Sequence, residues 1–183
     1  MRARPGPAVP TSPTPTAPAV VPQLYRRHVG HLARRFDQVC HGLITEAVAA
    51  DGLTRLQFAT LTVVADMPGI DQRRLAHALG VVPVNAGQMV SELEAMGLVD
   101  RRMNGADRRA RALRLTGRGA RLFKRLLPRN HAACDRIIAG LTAKEQETLM
   151  DLLVRVIEWN EAYARPGLGR RKRGSRAAPA NRT

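Results

Sequence analysis

A mostly α-helical domain interrupted by one two-stranded β-hairpin is the fold class that this sequence of 183 residues predicts. Apolar residues recur at helical spacing in several separate stretches, in the first of them at alternating fours and threes. Several of those stretches open on a Thr or Asp with the side chain to cap a helix, and Asn104-Gly105 divides two short runs of strand-like alternation. The length suits a single domain, which buries roughly 70% of its unfolded surface.

The elements follow in order. Tyr25, Val29, Leu32, Phe36, Val39, Leu43 and Ala47 form one stripe, so one long first helix is expected. Thr54 with Gln57 three residues on is a capping box, and Leu53 with Phe58 is its hydrophobic staple; a second helix starts near Arg55 and stops before Pro68-Gly69. Asp71 caps a short third helix that Gly80 terminates, with Ile70 and Leu75 as its staple. Pro83 suits the first position of a fourth helix, carried by Ala86, Met89, Val90 and Leu93 to the stop at Gly97. Leu98 to Met103 and Arg111 to Leu115 read as the two strands of the hairpin. Thr116 caps a fifth helix, which Pro128 is expected to kink. Thr142 and Glu145 form a second capping box that opens a sixth helix, with Leu149, Leu152, Leu153, Val156, Ile157 and Tyr163 at helical spacing.

The charge is unevenly placed. Thirty Lys and Arg face 15 Asp and Glu, a net +15, while aromatics make up 3% of the chain. Residues 1–22 hold seven of the twelve prolines, and residues 165–183 hold seven basic residues and no acid, so a disordered arm and a disordered basic tail are expected to flank a domain at 23–164. Within that domain, residues 101–125 carry ten bases and one acid, Asp107. Charge concentrated in one short stretch builds a field able to neutralise neighbouring phosphates, whereas an even spread would serve only solubility.

Two short helices joined by a tight turn and followed by a basic hairpin form a winged helix-turn-helix, whose second helix enters a major groove. Here the chain resembles the multiple-antibiotic-resistance regulator (MarR) family of bacterial transcription factors. The resemblance spans residues 24 to about 163 and is carried by QRRLAHALG at 72–80, LEAMGLV at 93–99, and Asp107-Arg108-Arg109 followed by LRLT at 113–116. It implies a homodimer interlocked by the first, fifth and sixth helices (residues 23–50 and 117–164) and a DNA-binding region at 54–116. It also implies a reading helix at Pro83 to Glu92 and a wing Arg109 that reaches the minor groove beside Arg108. The partner expected is double-stranded DNA bearing a pseudo-palindromic operator, with the two reading helices ~34 to 36 Å apart.

Residue chemistry bears on the same surface. Asn85 and Gln88 lie three apart, and their amides suit adenine, while Val84 offers an apolar contact to a thymine methyl. The reading helix holds Glu92 and Glu94 but no Lys or Arg, where relatives commonly place basic residues, and so nothing there to meet the wing Asp107. Phosphate affinity is therefore assigned to Arg73 and Arg74, to Arg101 and Arg102, and to Arg108, Arg109 and Arg111. For Arg118, Arg121 and Arg125 a solvated helix face is the expectation.

The resemblance also implies a small aromatic acid, or its coenzyme A thioester, as a releasing effector. Candidates to hold it are His31, Arg34, Arg35 and His41 on the first helix, with Phe58 as a wall. Two other readings stay open: a protein that coats nucleic acid without sequence preference, and a thiol-based sensor acting through Cys40. Cys40 and Cys134 are too few for a disulfide framework, and no CxxC pair occurs. A zinc set from His28, His31, Cys40 and His41 lacks a completing carboxylate. No GxxxxGK[ST], GxSxG or HExxH is present, so no enzyme, catalytic residue, metal or cofactor is expected. No apolar run nears the ~18 residues of a membrane helix, and no signal-peptide core opens the chain. The expected location is the cytoplasm, on the nucleoid.

Overall fold

The computed structural model describes residues 22–104 and 107–164, and the chain divides into two units between Gln38 and Val39. The proline-rich arm and the basic tail of the sequence reading lie outside these residues, apart from Pro22. In the first unit, α1 (Gln23–Arg26) is one turn, Arg27 leaves the helical region at φ −111°, and α2 (Val29–Ala49) begins two residues later. The single long helix expected from Tyr25 is thus interrupted after Arg26. Apolar spacing tells which face a side chain occupies, and a two-residue break leaves that spacing intact. The Tyr25 ring sits against His28 and His31, with centroids 5.6 and 4.6 Å away.

The second unit forms as its caps dictate. Thr54 Oγ1 accepts from the Gln57 backbone N–H at 3.1 Å while Gln57 Oε1 accepts from the Thr54 N–H at 2.9 Å, closing the capping box of α3 (Arg55–Asp66). Asp71 accepts from the N–H groups of Arg73 and Arg74 and opens α4 (Gln72–Ala78). Next comes α5 (Pro83–Ala95), with proline in its first turn. Both α4 and α5 end on a glycine with positive φ, Gly80 at 63° and Gly97 at 68°. After α5, Gly97 N–H donates to the Glu94 carbonyl and Leu98 N–H to that of Leu93, which satisfies the last carbonyls and turns the chain sharply into the hairpin.

Strands β1 (Val99–Asn104) and β2 (Asp107–Leu115) pair antiparallel from Val99↔Leu115 to Met103↔Arg111. Their limits differ from the sequence reading. Leu98 spends its N–H on the end of α5, so β1 starts one residue later, and β2 begins at Asp107 because polar residues can extend a strand that alternation does not reveal. The register then jumps to Asn104↔Asp107, leaving Arg108, Arg109 and Ala110 over on β2. Gly105, half of the expected turn, lies outside the described residues. Leu113 also exchanges both backbone hydrogen bonds with the Gly69-Ile70 segment, at 2.8 and 3.0 Å, anchoring the hairpin to the start of the helix-turn-helix.

Thr116 caps α6 (Gly117–Ile138), which keeps helical geometry through Pro128. Thr142 and Glu145 box the start of α7 (Ala143–Trp159), and a single turn, α8 (Glu161–Ala164), follows. The core joins Val48, Phe58, Leu61, Leu75, Val90, Leu93, Leu98, Leu113 and Leu126, all buried, at roughly 1.5 to 3 kcal/mol for each large apolar side chain. No residue of α7 is buried. Its Leu152, Val154, Val156, Ile157 and Trp159 are exposed, as is Tyr163 of α8.

Candidate nucleic-acid interface

Helix α5 presents two different faces. Ala86, Val90 and Leu93 are fully buried, which fixes the rotation of the helix about its axis. Pro83, Val84, Asn85 and Gln88 are consequently exposed, Val84 at 74%. Thirteen residues at a rise of ~1.5 Å give a rod of about 20 Å, enough to lie along a major groove. An exposed valine beside two exposed carboxamides is apolar contact and hydrogen-bonding capacity on one surface.

The acids of α5 are tied inside the molecule. Glu92 accepts two hydrogen bonds, from Gln57 Nε2 of α3 at 2.8 Å and from Gln88 Nε2 at 2.9 Å. Glu94 lies 2.8 Å from Arg101 Nε, and Arg101 Nη2 donates to Ser91 at 2.9 Å. The excess negative charge noted in the sequence is therefore opposed by an arginine in one case and by two amide donors in the other. Gln72 closes the helix-turn-helix from the other end, its Nε2 donating to the Pro83 carbonyl at 3.3 Å.

The predicted phosphate donors fall into three groups. Arg73 and Arg74 are exposed at the start of α4. Arg102 is exposed and pairs with Asp100 at 2.9 Å, whereas Arg101 is largely covered and joined to Glu94, so its guanidinium spans the seam between β1 and α5. Asp107, Arg108, Arg109 and Arg111 belong to β2, and their side chains lie outside the described residues. Sequence reasoning missed Gln57, Gln72 and Ser91. Gln57 did leave a signal: capping Thr54 uses its amide oxygen alone, so its buried NH₂ needs an acceptor elsewhere.

The predicted effector residues are not assembled by what the structure describes. His31, Arg34 and Arg35 belong to the first unit, where Arg35 Nη1 donates to Gln38 at 3.0 Å. His41 belongs to the second unit, as does Phe58, which is buried in the core 5.9 Å from the Phe123 ring. Staple geometry turns Phe58 inward, so that it meets Phe123 rather than solvent. A cleft of about 480 Å³ does exist beside it, lined by Thr62, Val63, Asp66, Met67, Ala78 and Phe123 among others. Among the described residues no group of three or more His, Cys, Asp or Glu could hold a metal ion. Among the same residues no helix is long and apolar enough to cross a membrane. Arg125, expected on a solvated face, and Arg129 both donate to Asp51.

A helix-turn-helix that exposes one polar face of its second helix, with a basic hairpin directly behind it, defines a winged-helix DNA-binding protein. Comparison with known proteins agrees. Residues 51–110 match the family model described as "MarR family". The transcriptional regulator HosA of Escherichia coli is 33% identical over 101 residues, 55% of this chain and 75% of HosA. The repressor Rv2887 of Mycobacterium tuberculosis is 30% identical over 125 residues, 68% of this chain and 90% of its own. Its crystal structure with salicylic acid superposes with a TM-score of 0.59 at 29% identity, covering 70% and 96% of the two chains. PcaV of Streptomyces coelicolor, solved with its natural ligand, gives 0.66 at 34% identity over 76% and 97%. A mutant of Escherichia coli MarR, solved with operator DNA, gives 0.67 at 26% identity over 70% and 93%. The chain belongs to the MarR family of winged-helix, DNA-binding transcriptional regulators.

Proposed function

We propose that the protein is a homodimeric repressor that holds a pseudo-palindromic operator and lets it go when a small aromatic acid, or the thioester of one, binds. The observation that carries the DNA-reading role is the division of α5 into a buried Ala86-Val90-Leu93 face and an exposed face bearing Val84, Asn85 and Gln88. On this reading those three residues contact base edges, while Arg73, Arg74, Arg102 and the wing arginines Arg108, Arg109 and Arg111 contact the backbone, with Arg109 in the minor groove.

A second copy of the chain is the proposed cover for the apolar side chains of α7 and α8. Trp159 is 89% exposed and Tyr163 81%. Contiguous apolar surface of this kind is costly to leave in water, and a two-fold partner removes it while setting two reading helices about one DNA turn apart. In the first unit, Val29 and Leu32 are likewise exposed. Salicylic acid in Rv2887 and a natural ligand in PcaV support an effector, and the apolar part of the cleft formed by Val63, Met67 and Phe123 suits an aromatic ring.

The test is a band shift on the DNA upstream of the protein's own gene, with random duplex as competitor and phenolic acids and their thioesters added in turn. The expected result is a specific complex favoured by ~10³ or more, released by one member of that series. Equal competition by random duplex would instead establish sequence-independent coating. Sedimentation of the free protein should give a dimer; a monomer at micromolar concentration overturns that part.

A further inference from the structure

We propose that Glu92 is a positioning residue for base readout: it fixes the Gln88 carboxamide so that its oxygen points away from the C-terminal end of α5 and seeks an amino group on a base. The inference rests on the DNA-reading role of α5 given above and adds the polarity of its central contact.

The argument is one of donors and acceptors. An ionised carboxylate only accepts, so any amide that meets it must turn its NH₂ towards it. Glu92 meets two amides at once, Gln57 Nε2 at its Oε2 and Gln88 Nε2 at its Oε1. Gln57 cannot yield, because it is buried and its own oxygen is held by the Thr54 N–H. The carboxylate is thus pinned from the core side, and Gln88, one turn earlier on the exposed face, is oriented by it. Without Glu92 the two ends of the Gln88 amide would be interchangeable, and the side chain would accept or donate with equal ease. With Glu92 in place, Oε1 is presented as the acceptor. In the major groove the amino groups that answer an acceptor are N6 of adenine and N4 of cytosine, whereas O6 of guanine and O4 of thymine need a donor. A remaining Gln88 N–H beside the oxygen would add N7 of adenine, which makes adenine the better of the two.

The experiment selects binding sites from a random duplex pool with the full-length protein and with Gln88→Ala, Glu92→Gln and Glu92→Ala. Glu92→Gln keeps the shape and lets the Gln88 amide turn over; circular dichroism checks that each variant folds. Wild type is expected to enrich A or C at one position in each half-site. Gln88→Ala should erase the preference there, and Glu92→Gln should weaken it about tenfold at that position alone, with an unchanged salt slope. Guanine or thymine at the position that Gln88→Ala relaxes would overturn the proposal. So would a Glu92→Gln variant that selects the same base as strongly as wild type, or a Gln88→Ala variant that relaxes no position. Failure of wild type to enrich any sequence would sink the DNA-reading role itself, which is a separate outcome.

Discussion

Arg101 of β1 and Glu94 of α5 close the seam between the hairpin and α5, with Nε 2.8 Å from the carboxylate and both side chains less than a third exposed. This pair makes Arg101 a brace. Arg101→Ala should lower stability by about 1 kcal/mol, the upper end for pairs open to water, and weaken DNA binding through a misplaced hairpin. The slope of log affinity against log salt should stay where it is in wild type. A slope that falls would return Arg101 to the phosphate donors.

Arg109→Ala is expected to behave in the opposite way. On the proposed reading it serves the DNA and not the fold, so the unfolding free energy should change by no more than about 0.5 kcal/mol. Each phosphate contact contributes about 0.9 to the salt slope, so the slope should drop by that amount. Fluorescence anisotropy across a salt titration measures both variants on one scale.

Gly119 and Gly87 separate two kinds of crowding. A Cβ on Gly119 would collide with the backbone carbonyl of Leu98, where α6 crosses the start of β1. Gly119→Ala should therefore cost about 1 to 3 kcal/mol or more by overpacking. A Cβ on Gly87 would meet only the end of the Gln72 side chain, 2.6 Å away, which can swing aside. Gly87→Ala should be tolerated in urea unfolding, with added helix propensity offsetting the lost Gln72 contact.

Cys134 tests the thiol-sensor reading. Burial, and then the neighbouring Asp135, push its thiol above the ordinary cysteine value, so at neutral pH it stays protonated. Maleimide should label it far more slowly in the folded protein than in urea, and Cys134→Ser should leave peroxide sensitivity of the DNA complex unchanged. Release by peroxide that requires Cys40 would establish the sensor.

Glu145 supplies a pH signature. The Thr142 backbone N–H first, and the Thr142 hydroxyl second, hold its carboxyl below the ordinary value of 4.5. A carboxyl lowered by folding adds stability above its unfolded pKa and loses it as pH falls through the folded one. Glu145→Gln should thus lower the thermal midpoint at pH 7, and the difference should vanish under strong acid. A difference that persists at low pH would mean that the box does not depend on charge.

The sequence by itself determined the caps at Thr54, Asp71, Thr116 and Thr142, the glycine stops at Gly80 and Gly97, and the proline start of α5. These are interactions within four or five residues, so local order specifies them, and together with the basic hairpin they reveal the winged helix. Tertiary structure decided how the charges are used. Gln57 and Glu92 stand 35 positions apart, and Asp51 and Arg125 stand 74 apart. Nothing in local spacing says that the acids of α5 face a buried amide and a strand arginine, because that follows only once the burial of Ala86, Val90 and Leu93 has set the rotation of the helix. Periodicity can find an apolar face, but the partners of polar groups beside it depend on which distant element the core brings against them.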